Sequence, residues 1–167
     1  DDGPQSLECV FYLFALKCLA PTKVTLLRGN HEDRAVNGTG SRNFRDQCRA
    51  GLGPTDGDKM WELCNDVFAQ LPLAAEIDGR IFCTHSGIPR WNGTAPDSLN
   101  AFIETLRRGD DAIDDAHRAM IRSMLYSNPA DSSSEHPADG YHFDDYGFSD
   151  HSGGLFNEAA LNTFCQF

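Results

Sequence analysis

Asn30, His31 and His85 are the side chains of this sequence best placed to do chemistry. Asn30 and His31 stand in Gly29-Asn30-His31-Glu32, at the end of the aliphatic run Val24-Thr25-Leu26-Leu27. His85 opens His85-Ser86-Gly87, at the end of Ile81-Phe82-Cys83-Thr84. A buried strand cannot carry Asn or His without partners. Its exit can offer them to a crevice, where the ligand sites of α/β sheets are built. Gly29 lets the backbone come close to a ligand. Asn30 supplies a neutral oxygen, His31 a proton donor and Glu32 an anchor for Arg28. Imidazole and amide oxygen suit a divalent manganese, iron or zinc ion, and the missing thiolate cluster speaks against structural zinc. A polar residue at one strand exit is often just a satisfied loop group. Two such loops, each after a strand, favour a metal-dependent phosphoester site.

The rest of the composition narrows the class. Fourteen basic against 25 acidic residues leave a net charge of −11, a poor balance for gripping a phosphate backbone, so no nucleic-acid partner is expected. Much of the acid lies in Asp110-Asp111, Asp114-Asp115 and residues 131–150, and reads as a solvated face. No apolar run is long enough to cross a bilayer, and no membrane partner is expected. The chain opens on Asp1-Asp2 rather than a basic leader, and without Met, which predicts a fragment or trimmed product. Cys9, Cys18, Cys48, Cys64, Cys83 and Cys165 form no CxxC pair. Most sit among apolar residues, so buried free thiols in a reducing compartment are expected, cytoplasmic or nuclear. At 167 residues, 40% of them hydrophobic, the chain fits one domain over 1–167 or a piece of a larger one.

Elements must hold those loops in place. Leu7, Val10, Phe11, Phe14 and Leu19 recur near helical spacing, which predicts a deeply buried helix from Ser6 to Leu19. Val24 to Leu27 then reads as a buried strand feeding the Asn30 loop. Ser41 or Asn43 caps a short helix through Cys48, and Gly51-Leu52-Gly53-Pro54 ends it. Asp56 is the expected cap of a helix over about 58–70, with Met60, Leu63, Cys64, Val67 and Phe68 on its apolar face. Asp78-Gly79 predicts a tight hairpin over 73–84. Helices are expected at 97–108 and 114–125, the second closed by Tyr126-Ser127-Asn128-Pro129. Residues 130–154 read as a long surface loop, followed by a short helix from Asn157 to Phe164. The alternation points to an α/β (α+β) fold.

Several of these segments also carry a family resemblance. Leu27-Arg28-Gly29-Asn30-His31-Glu32 resembles the LRGNHE signature of the PPP family of serine/threonine protein phosphatases, the group that includes calcineurin. Gly3 with Gln5-Ser6-Leu7-Glu8 resembles the stretch after the family's GDxxDRG motif, and Asn37 keeps the family spacing after His31-Glu32. Phe44-Arg45-Asp46-Gln47-Cys48, Leu71-Pro72-Leu73-Ala74-Ala75, Ile81 to Gly87 and Leu125-Tyr126-Ser127-Asn128-Pro129 continue the match through most of the chain. The resemblance implies a calcineurin-like metallophosphoesterase β-sandwich flanked by helices, incomplete in this chain. It implies hydrolysis of phosphoserine and phosphothreonine at two divalent ions of the Mn/Fe/Zn type. Phosphoprotein substrates and a regulatory subunit or domain come with it.

Carried over residue by residue, Asn30 and His85 would ligate one ion, and Asn30 would also lie near the phosphate. His31 would be the general acid, with Asp1 orienting it. The departures are as informative. The family's GDxHG motif and the bridging Asp of GDxxD are not in this sequence, and neither is its last histidine ligand. Only one ion keeps ligands here, so the 167-residue chain by itself is expected to bind metal weakly, fold poorly and leave p-nitrophenyl phosphate intact. Asp2 stands where the family places a phosphate-clamping arginine, which turns attraction into repulsion. A second such arginine is missing near Asp150, where His151 is left to take a share of substrate binding. Ser86 replaces the middle glycine of the HGG motif. The main expectation is therefore a metal-dependent protein phosphatase, and the alternative is a pseudophosphatase that binds partners without turnover.

Overall fold

The structure is a computed structural model that describes residues 3–41, 43–89, 115–130, 141–142 and 154–165. It divides into two compact units, Asp1–His85 and Ser86–Phe167. Asp1, Asp2 and His151 lie outside the described residues, as do the expected helix at 97–108 and most of the expected loop over 130–154.

The first unit is helical up to a terminal hairpin. Helix α1 covers Ser6–Leu19, with Lys17 reaching past its end to the Pro21 and Val24 carbonyls, each at 2.7 Å. Its N-terminus lacks a cap from its own flank. Gln47 supplies one from afar: Gln47 Oε1 accepts the Ser6 N–H at 2.9 Å, while Gln47 Nε2 donates to the Gly3 carbonyl. The helix is not deeply buried as its composition predicts. Ser6, Leu7 and Val10 are buried, but Phe11, Tyr12, Leu13 and Leu19 are exposed, Leu19 by 81%. Apolar residues all round a helix give it no preferred stripe, and the core shared with α3 and α4, where Phe14 meets Phe68, takes in only one side of it.

The expected strand over 24–27 is not formed; the segment is irregular. A strand needs a ladder, and here the Arg28 N–H donates a single backbone bond to the Pro72 carbonyl at 2.9 Å. After it, Asp33 caps the one-turn helix α2, Arg34–Asn37, by accepting the Ala35 N–H.

Helix α3, Phe44–Leu52, starts at its expected cap: Asn43 Oδ1 accepts the Asp46 N–H at 2.9 Å. Helix α4 covers Pro54–Ala69, starting earlier than expected, because Pro54 fits the first turn and Gly53 at φ 83° makes the corner. Its buried stripe also differs from the expected one. Gly57, Trp61, Cys64, Asn65 and Phe68 face inward, whereas Leu63 and Val67 are exposed. The helix crossing sets this choice. A Cβ on Gly57 would come 2.5 Å from Arg49 Cα, so the two backbones touch there and the 57–61–64–68 line becomes the inner face. Leu7, Val10, Phe44, Cys48, Trp61, Cys64 and Phe68 form the core.

The hairpin pairs β1, Ala74–Ile77, with β2, Ile81–Thr84, in the register Ala74↔Thr84 to Ile77↔Ile81. Asp78 and Gly79 both have positive φ, 54° and 64°, as the sequence pair predicts, and the Arg80 N–H closes the turn on the Ile77 carbonyl. Arg80 is one residue more than a two-residue loop contains.

In the second unit, helix α5 covers Asp115–Tyr126. It is followed by β3, Asn128–Pro129, β4, Tyr141–His142, and β5, Leu155–Phe156, in the sheet order β3-β5-β4. Of these strands only β4 lies in the 130–154 stretch read as a loop. Pro129 is tolerated because its flanking residues make the bonds: the Asn128 N–H to Gly154 O and the Ala130 N–H to Phe156 O. Asn157 caps helix α6, Glu158–Phe164, near its expected place. Ile88, Phe156 and Ala160 make the local core.

Candidate active site

The first unit folds Asn30 and His85, 55 residues apart in sequence, onto each other. His85 Nε2 lies 3.0 Å from Asn30 Oδ1. His85 is the residue after β2, at the strand exit where its sequence context put it. The Asn30 loop is tied internally: the Gly29 N–H donates to Glu32 Oε2 at 2.9 Å, and the Glu32 N–H returns to the Gly29 carbonyl at 3.2 Å. The expected anchoring of Arg28 by Glu32 runs through the main chain, with Arg28 Nε donating to the Glu32 carbonyl.

Gly29 is required by its neighbours rather than by its φ angle. A Cβ there would stand 2.6 Å from Glu32 Oε2 and 3.1 Å from the His85 ring. The imidazole therefore rests on bare backbone. In the second unit, the next two residues dock on the end of α5. Ser86 Oγ donates to the Ser127 carbonyl, and the Gly87 N–H donates to the Met124 carbonyl at 3.1 Å. A Cβ on Gly87 would meet the Ser123 carbonyl at 2.4 Å, so this glycine is obligatory. Serine in place of the middle glycine is thus accommodated and used.

Asn30 and His85 fit one divalent ion. Two ligand atoms at the usual metal distance of about 2.1 Å, set at a right angle, stand about 3.0 Å apart, which is the separation seen here. Amide oxygen and neutral imidazole are donors such ions accept. No group of three or more His, Cys, Asp or Glu that could hold a metal occurs among the described residues. The described residues thus bring two such donors together, joined in this structure by a hydrogen bond.

His31 follows Asn30 directly and is half-buried. Its carbonyl accepts a hydrogen bond from Asn37 Nδ2 at 3.1 Å. Asn37 belongs to a buried polar group that the sequence reading did not single out. Trp61 Nε1 donates to Asn37 Oδ1 at 2.6 Å, Asn37 Nδ2 donates to Asn65 Oδ1 at 3.0 Å, and Asn65 Nδ2 donates to the Trp61 carbonyl at 2.9 Å. Arg34 and Arg45 lie over the Trp61 ring, at 5.0 and 4.9 Å from its centroid. A signal was present: Asn65 falls at helical spacing between Trp61 and Phe68, a polar residue on an apolar stripe.

Residues 1–165 match the family model of the calcineurin-like phosphoesterases. The chain belongs to that family. A solved structure described as a protein serine/threonine phosphatase from Saccharomyces cerevisiae, with similarity to human phosphatase PP5, aligns with a TM-score of 0.70 at 23% identity. The alignment covers 99% of this chain and 45% of that one, so the chain spans less than half the length of the protein it matches. At that identity the likeness establishes a metallophosphoesterase fold. Phosphoesterases of this family generally work with divalent metals, and the Asn30–His85 pair in this calcineurin-like phosphoesterase is the donor set suited to one.

Asp58 takes hydrogen bonds from Arg49 and Arg45, and those bonds bring its pKa down from 3.8 to about 2. Burial pushes the Cys48 and Cys64 thiols up to about 11, which leaves them inert as nucleophiles. All six cysteines are free, but Cys9, Cys18 and Cys165 are exposed, against the expectation that most are buried. No helix among the described residues is long and apolar enough to cross a membrane.

Proposed function

We propose that this calcineurin-like phosphoesterase acts as a PPP-type protein phosphatase, hydrolysing phosphoserine and phosphothreonine, with His31 as the general acid. The observation that carries the reading is the Asn30 Oδ1–His85 Nε2 approach of 3.0 Å, made directly beside His31. Asn30 and His85 hold one divalent ion of the Mn/Fe/Zn type; the family mechanism uses a second. When bound, such ions neutralise phosphate charge and activate water near neutral pH. Asn30 also faces the phosphate. His31 gives its ring proton to the leaving serine or threonine oxygen, a contribution of roughly 10²–10⁴ in rate. Asp1 orients that imidazole, and His151 contributes to phosphate binding. The substrates are phosphoproteins, the partner is a regulatory subunit or domain, and the compartment is the cytoplasm or nucleus.

The test is phosphate release from a phosphoserine peptide with Mn²⁺, in the longest polypeptide that carries this chain. His31→Asn is expected to lower kcat by roughly 10²–10⁴ while Mn²⁺ binding persists. His85→Ala is expected to weaken Mn²⁺ binding by more than the roughly 10–100-fold that losing a supporting residue costs. Turnover that survives His31→Asn unchanged would overturn the assignment. Metal and phosphopeptide binding without turnover would instead favour the pseudophosphatase.

A further inference from the structure

We propose that Asn37 is a positioning residue for His31, held in its one working orientation by the Trp61 indole and by Asn65. The catalytic meaning of this inference rests on the role proposed for His31 above; the geometry does not.

An indole nitrogen only donates. The Asn37 atom 2.6 Å from Trp61 Nε1 must therefore be its oxygen. That fixes the amide, because a carbonyl only accepts, and the His31 carbonyl 3.1 Å from the other side needs the nitrogen. The second proton of that nitrogen goes to Asn65 Oδ1. Asn65 Nδ2 in turn lies 2.9 Å from the Trp61 carbonyl and 3.3 Å from Asn37 Oδ1. Both amide protons of Asn37 are used, and flipping the amide would set like against like on both sides. The group can be wired in one way.

Asn37, Asn65 and Trp61 are all buried. An apolar trio of similar volume would pack the same space without desolvating amides. What the polar trio adds is a fixed His31 carbonyl. The orientation of that carbonyl sets the His31 ψ angle, and so the path of the loop that presents the imidazole. Gly29 and Glu32 close the loop on itself. Asn37 ties it to α4 through Trp61 and Asn65. Proton transfer is sensitive to such placement, since an error of about 1 Å can cost roughly 10²-fold in rate.

Two variants test this in the full chain. Asn37→Leu removes the donor at similar volume. Trp61→Phe removes the indole N–H and keeps a ring for Arg34 and Arg45. Cys64→Ala, a packing change in the same core, is the control. With ¹³C-labelled histidine rings, the His31 resonance is expected to shift or broaden in both variants, while the His85 resonance stays in place and the control moves neither. Should Asn37→Leu not fold, Trp61→Phe decides. An unmoved His31 resonance would overturn the inference whatever the variants do to stability. In the kinetic assay, kcat is expected to fall roughly 10–100-fold with KM within about twofold. A moved resonance with unchanged kcat would also overturn it. An inactive wild type would count against the proposed function alone, because the ring resonances still report whether Asn37 positions His31.

Discussion

At the residue scale, two short motifs singled out Asn30 and His85, and the structure brings these side chains within 3.0 Å of each other; the roles given to them and to His31 belong to the proposed function. What could not be read was why Gly29 is glycine. Close approach of the backbone to a ligand was the expected reason, but the structure shows crowding by the chain itself, with Glu32 and the His85 ring where a side chain would begin. Gly29→Ala should therefore swing the Glu32 carboxylate off the Gly29 N–H and push the His85 ring from Asn30. A loss of Mn²⁺ affinity by isothermal titration, with the far-UV spectrum kept, is the expected result; unchanged affinity would contradict the crowding argument. Asp58 offers a second test. Its folded pKa, about 2, lies below the ordinary 3.8 because Arg49 and Arg45 hydrogen-bond the carboxylate. A depressed carboxylate pKa gives stability that is present above 3.8 and lost as pH falls from there through about 2. Asp58→Asn should remove that part of the acid dependence, seen as a flatter Tm profile between pH 4 and pH 2, with its size limited by solvent screening of an exposed group.

At the element scale, the helices α1, α3, α4, α5 and α6 were legible, the one-turn α2 was not, and helix facing was not. Caps and breakers such as Asn43, Gly53, Pro54 and Pro72 are local, so α3 and α4 could be placed from sequence. Which side of α4 turns inward depends on Gly57 meeting the backbone of α3, a contact that periodicity does not encode. The same limit explains α1, whose even apolar coverage predicted burial all round, whereas the core it shares with α3 and α4 buries only one side. The 24–27 segment failed as a strand for a related reason, since aliphatic composition cannot supply a ladder partner. Gly57→Ala should force α3 and α4 apart, because the obstacles at 2.5–2.6 Å are backbone atoms that cannot rotate away. The expected cost is about 1–3 kcal/mol in chemical denaturation; a loss below a few tenths would show that the crossing is not tight.

At the scale of the whole molecule, the family and the fold were legible because ordered motifs run through the chain and its match covers residues 1–165. The short strands of the second unit were hidden, since two-residue strands such as β4 and β5 leave no periodic trace. The Asn30–His85 contact has a further consequence, in time rather than space. It spans 55 residues, whereas the Arg49–Asp58 pair of the helical core spans 9. Closing the longer loop costs about 1.6 kcal/mol more by logarithmic scaling, and its two ends gain little until the helices between them are packed. The helical core should therefore form first and the Asn30–His85 pair last. In a Trp91→Phe background, refolding should show the Trp61 fluorescence change before Mn²⁺ is captured, and simultaneous appearance of the two signals would refute that order. A newly made chain would then pass through a stage that is folded yet blind to metal, so its loading would be governed by the hairpin's arrival rather than by the supply of the ion.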